Sequence, residues 1–155
     1  MNRLSFIALA AALAASVSVA KAQDRVQVGM LDCAGSTSSF VVGSVTELNC
    51  SFRPSGVPAV DYYTATVRRV GVDIGFNQQV AVAWAVFAPT RVLGHGELAG
   101  NYVGAAASAT VGVGVGANAL VGGSGNTIAL QPVSVQGQTG LSVAAGVAEL
   151  RLRPR

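Results

Sequence analysis

Val80-Ala81-Val82-Ala83-Trp84-Ala85-Val86-Phe87-Ala88 is the stretch on which the fold turns. Side chains alternate across a strand, so Val80, Val82, Trp84 and Val86 share one face, and Ala81, Ala83, Ala85 and Phe87 the other. Both faces are apolar, which predicts a central strand covered on both sides. Pro89 ends it.

The same period of two recurs outward from this segment. Residues 62–70 set Tyr62, Thr64, Thr66 and Arg68 against Tyr63, Ala65, Val67 and Arg69, a half-exposed strand with its turn at 71–75. Upstream, 26–33 and 47–52 read as strands joined through Phe40-Val41-Val42, with a Cys33–Cys50 disulfide stapling the first strand to the third. The two prolines and the glycine of 53–58 make the clearest loop in the chain. Downstream, Leu93-Gly94-His95-Gly96 returns the chain toward a strand over 97–103. Further strands are expected over 105–120, 128–135 and 141–152, with a glycine-rich turn at 122–126. In 141–152 the apolar parity switches, because Leu141, Val143 and Val147 oppose Leu150 and Leu152, so a β-bulge is expected near Gly146. No segment beyond the leader shows a sustained helical period, and glycine interrupts each apolar run. Eight to ten short strands in one domain predict an all-β fold, a small antiparallel barrel or a sandwich, since both deal with exposed sheet edges.

The first 22 residues have the layout of a secretory signal: Arg3, an apolar run of 16 residues from Leu4 to Val19, then Ala20-Lys21-Ala22. A membrane-spanning helix needs about 20 apolar residues. The expected domains are therefore a signal peptide at 1–22 and a single β domain at 23–155, with no transmembrane segment in the mature chain. Cleavage removes Arg3 and Lys21 from ten basic residues, leaving eight arginines against seven acids, a net charge of +1. No nucleic-acid partner is expected from so small and dispersed an excess. Arg68 and Arg69 point to opposite faces of a strand. The tail Arg151-Leu152-Arg153-Pro154-Arg155 could touch acidic headgroups or phosphates, but reads first as a frayed, solvated terminus.

Two cysteines in an exported chain predict a disulfide between Cys33 and Cys50, with a closure entropy of about 3 kcal/mol. A redox or metal pair is disfavoured, because there is no Cys-x-x-Cys and His95 is the only histidine. The segment Gly114-x-Gly116-x-x-Ala119 formally matches a dinucleotide fingerprint. No helix follows it and no acidic residue stands about 20 positions on, so no cofactor is expected. Gly112, Gly114 and Gly116 instead form a bare track, a face for close packing or for an apolar ligand. His95, between two glycines, lacks a nucleophile in any motif context, and it would gain a catalytic reading only beside a carboxylate at a pocket mouth. Asp32, Asp61, Asp73 and Glu149 stand singly, without calcium-loop spacing. Neither catalytic nor metal-binding residues are expected.

The segments Trp84-Ala85-Val86-Phe87-Ala88-Pro89, Leu98-Ala99-Gly100-x-Tyr102-x-Gly104 and residues 109–118 and 128–148, with the pair Cys33 and Cys50, resemble a family of small secreted alphaproteobacterial proteins, Domain of Unknown Function 992. That resemblance covers nearly the whole mature chain and implies no assigned activity. Residues 139–147 are similar in style to glycine-rich domains of envelope proteins and lipid-binding SYLF domains. The function expected is that of an uncharacterised periplasmic or secreted, non-enzymatic protein. It would support the cell envelope by binding a hydrophobic small molecule or lipid inside the barrel, or by docking on another envelope component. The alternative is an interaction or structural protein with a filled core. An outer-membrane barrel fits less well, because Trp84 is the only tryptophan and the chain ends in Arg153-Pro154-Arg155.

Overall fold

The computed structural model describes residues 24–40, 43–70, 78–90, 92–104, 119–136 and 149–155. They form eight strands: β1 (Val26–Phe40), β2 (Gly43–Pro54), β3 (Asp61–Val70), β4 (Gln78–Ala88), β5 (Gly100–Gly104), β6 (Leu120–Gly122), β7 (Ile128–Gln136) and β8 (Glu149–Pro154). The sheet closes on itself in the order β1-β2-β3-β8-β5-β6-β7-β4. Every pairing is antiparallel. Of the two architectures open to an all-β chain of this kind, the barrel is the one formed, and closure leaves no sheet edge. The described residues include no α-helix, only a 3-10 turn at Ser124–Asn126.

Alternation decides what lies inside. Trp84, Tyr63, Tyr102, Phe52, Leu31 and Leu48 point inward and are fully buried in one continuous core to which all eight strands contribute. On β1 to β3 and β8, by contrast, Ala34, Ser36, Glu47, Arg68, Arg151 and Arg153 face outward. Val80–Ala88 behaves as its alternation predicts on the inner face, where Val80, Val82, Trp84 and Val86 are buried. Its outer face differs from the expectation over the first half, where Ala81 and Ala83 are only half-buried. A sheet that closes on itself hides one face without a second layer. Further along, Phe87 packs on a small outer cluster of Ala119, Val121 and Ala129.

Four expectations are corrected. Phe40 belongs to no separate joining strand: β1 runs to Phe40, which pairs with Gly43 of β2, so β1 and β2 are direct neighbours, and Val41 and Val42 lie outside the described residues. The Cys33–Cys50 bond therefore joins adjacent strands at directly opposed positions, with the Cα atoms 4.1 Å apart, rather than the first and third. The arginine-bearing tail is no frayed end. It is strand β8, inserted between β3 and β5, because Leu150 and Leu152 alternate inward and are buried while Arg151 and Arg153 stay outside. The strand expected over 97–103 starts only at Gly100, and residues 95–98 form a turn. The bulge expected near Gly146 and the turn at 71–75 lie outside the described residues. Within them, a register shift falls between β4 and β7 opposite Ala83 and Trp84, beside Pro132, where a missing N–H does least harm to the ladder.

Candidate functional site

One end of the barrel gathers its polar chemistry. β2 ends here at Pro54, β3 begins at Asp61, and residues 92–99, the crossing segment that leads to β5, are bonded to the start of β3. Ser55 N–H donates to the Val28 carbonyl (2.9 Å) and fixes the start of the 55–60 loop. On the crossing segment, two tight bonds, Glu97 N to Gly94 O (3.2 Å) and Ala99 N to Gly96 O (3.1 Å), fold residues 94–99 into consecutive turns. Gly96 adopts φ +77°, a left-handed conformation that suits glycine. These turns push Leu98 into the barrel end, where it is buried against the core.

A buried side chain on a turn brings its own amide and carbonyl out of water, and each needs a partner. Tyr102 Oη donates to the Leu98 carbonyl (2.6 Å), and Leu98 N–H donates to Tyr63 Oη (3.4 Å). Tyr63 Oη in turn donates to Asp61 Oδ2 (2.6 Å), which also accepts the Gly96 N–H (2.9 Å). Asp61 Oδ1 faces His95 Nδ1. Burial alone would raise the Asp61 pKa, but the Gly96 N–H, the Tyr63 hydroxyl and His95 together outweigh it and hold the carboxyl below its ordinary value. Burial first, and then the Asp61 carboxylate, push the Tyr63 phenol well above its usual range. Burial does the same to Tyr102.

Beside this network lies a groove of about 160 Å³ with walls formed by Phe52, Pro54, Val57, Val60, Val92 and Leu93. Asp61 and His95 line it as well. Val57, Val60 and Val92 are 45, 42 and 72% exposed, an unusual concentration of apolar surface at one rim. His95 thus stands beside a carboxylate at a pocket mouth. With Nδ1 turned to Asp61, its Nε2 faces outward on a ring that is 78% exposed. That is how a carboxylate orients a histidine base, but among the described residues no hydroxyl or thiol is hydrogen-bonded to His95. The pair's evident work is to hold the 94–99 turns against β3. No group of three or more metal-ligating side chains forms among the described residues, and no described helix is long and apolar enough to cross a membrane.

The sequence-predicted positions fare unevenly. Cys33 and Cys50 are joined. The track Gly112, Gly114 and Gly116 lies outside the described residues. Asp61 reads in sequence as a lone acid, and its importance was missed. The available signal was parity: Asp61 shares the inward face of β3 with Tyr63, Ala65 and Val67, where an unpartnered carboxylate would not be tolerated.

A family model described as a protein of unknown function (DUF992) matches residues 11–153. No curated protein and no solved structure matches the chain.

Proposed function

The chain belongs to the DUF992 family, and on that premise we propose that it is an exported, non-enzymatic protein that serves the cell envelope by docking through the grooved end of its barrel. The observation that carries this reading is the contrast between interior and rim. The inward positions are taken up by Trp84, Tyr63, Tyr102, Phe52 and a set of leucines, whereas Val57, Val60 and Val92 stand in solvent around a groove. Exposed apolar residues gathered around a groove, rather than scattered singly, support a contact surface there. The secretory layout of residues 1–22 and the Cys33–Cys50 bond support a periplasmic or secreted location, where disulfides persist. An apolar interior with charged outer positions on β2, β3 and β8 is the inverse of a membrane-spanning barrel, and speaks for a barrel in water.

The second reading keeps a hydrophobic small molecule or lipid inside the barrel, and what invites it is the small-residue pattern of Gly112, Gly114 and Gly116 in the sequence. Native mass spectrometry of the purified protein separates the two. A clean apo mass with no uptake of added fatty acid supports docking, and a retained lipid mass overturns it.

A further inference from the structure

The partner at the grooved end can be given a chemistry. The loop Ser55-Gly56-Val57-Pro58-Ala59-Val60 carries no charge and is exposed throughout. Val92 rises from the neighbouring segment to the same groove. Next to this apolar tip stands Tyr62, half exposed, whose carbonyl accepts the N–H of Arg155 (3.0 Å) and so brings the chain's last residue alongside. Arg153 follows on the outer face of β8, opposite Thr64, and Arg53 leaves β2 just before the loop. Arg53 is paired with Asp32, while Arg153 and Arg155 form no ion pair among the described residues; Arg155 donates to Asn49 Oδ1 (3.4 Å), and Arg153 lines an outer cleft in which Arg68 and Arg151 accompany Glu47 and Glu149. Glu97, the acid on the crossing segment, lines a different cleft with Pro89, Ser124 and Thr127.

We propose that this end adsorbs to an anionic phospholipid leaflet, with Val57, Val60 and Val92 entering the headgroup boundary and Arg153 and Arg155 meeting lipid phosphates. Short apolar side chains on loops, an amphipathic tyrosine beside them and unpaired arginines at the flank match the three layers of such an interface in order. The loops need only shallow entry, so their backbone groups keep water. Each arginine near an anionic surface contributes about fivefold to binding, and the effect fades within a Debye length. The inference rests on the reading of this end as the contact surface.

Protein made from the full chain is tested by flotation with vesicles of phosphatidylcholine alone or mixed with phosphatidylglycerol. Binding to the mixed vesicles only, weakening as salt rises, is the expected result. Arg153→Gln with Arg155→Gln then lowers affinity about twenty-five-fold and the double charge reversal to Glu lowers it further, whereas the double lysine variant binds nearly as the parent does. In Val92→Trp the new indole fluorescence shifts to the blue on mixed vesicles, against the constant signal of buried Trp84. Absence of binding, equal binding to neutral vesicles, or indifference to charge reversal in a variant with parental thermal stability overturns the proposal. A flat vesicle response with a clean apo mass removes the lipid partner and leaves end-docking standing, while lipid retained in native mass spectrometry equally by the parent and by Val92→Asp lies inside the barrel and removes end-docking itself.

Discussion

Removing the Asp61 carboxylate tests whether the polar network holds the crossing segment in place. In Asp61→Ala the buried Tyr63 hydroxyl loses its acceptor, and so does the part-buried Gly96 N–H. An unsatisfied buried donor costs about 1–3 kcal/mol, and more where the lost partner was charged. The Tyr63 hydroxyl accounts for about 2 kcal/mol of this, and Gly96, which water can reach, for about 1 kcal/mol. The total of about 3 kcal/mol corresponds to a drop of about 10 °C in Tm for a domain of this size. Asp61→Asn keeps an oxygen for both donors and turns its amide toward His95, so its loss is nearer 1 kcal/mol. The pH dependence separates charge from shape. The Asp61 pKa is depressed in the folded state, so its stabilisation is complete above the unfolded value of about 4 and disappears as pH falls through the lower folded value. Urea titrations followed by Trp84 fluorescence at a series of pH values should show the parent losing stability below about pH 4 more steeply than Asp61→Asn. An unchanged acid slope in Asp61→Asn, or an Asp61→Ala loss under about 0.5 kcal/mol, would refute the reasoning.

Reduction of the Cys33–Cys50 bond leaves the same atoms in place and isolates the cross-link. With the two cysteines 17 positions apart in sequence, stability measured by urea titration in reductant should fall by about 3 kcal/mol. The buried Thr37 and Thr46 hydroxyls bond to each other at 2.7 Å, so Thr37→Val should cost about 1–2 kcal/mol by thermal melting, and adding Thr46→Val should restore much of it. Gly35→Ala places a Cβ 1.9 Å from the Glu47 carbonyl oxygen, an overlap that only backbone movement relieves. Its melting temperature should fall by an amount equivalent to about 3 kcal/mol, whereas Gly56→Ala, with open space around it, should lose only the cost of its positive φ.

What could be read from the chain was what alternation controls. Residues 62–70 and 80–88 were legible because their inward and outward sets differ or are uniformly apolar, and the structure buries Tyr63, Ala65, Val67, Val82 and Trp84 accordingly. The second half of β1 was not legible. Ala34-Gly35-Ser36-Thr37-Ser38-Ser39 has little strand propensity, and it is a strand because β2 pairs along its whole length and β4 along its other side as far as Thr37, with Gly35 packed close to the β2 backbone and Thr37 bonded to Thr46. The tail misled for a related reason. Its arginines dominate the composition, but Leu150 and Leu152 decide its place, since two inward leucines in register with β3 outweigh a solvated end. The site was the least legible, because Asp61 and Gly96 are 35 residues apart and no motif spacing joins them.

The polar character of this barrel end follows from what it has to bury. Leu98 fills the opening, and a leucine on a turn carries an amide and a carbonyl with it into a place that water cannot serve. A purely apolar plug would leave both orphaned at a cost of about 1–3 kcal/mol each. Tyr63 and Tyr102 supply aromatic bulk to the core and an oxygen to the Leu98 backbone at once, and Asp61 fixes the Tyr63 hydroxyl and Gly96 together. Directional bonds of this kind specify one position for the crossing segment, where dispersion contacts alone would allow several. Val92 and Leu93 belong to that segment, so the groove they share with Val57 and Val60 exists before any partner arrives. A preformed contact surface spares the ordering entropy that a mobile loop would lose on docking, which is what three short valine side chains need if they are to contribute to binding at all.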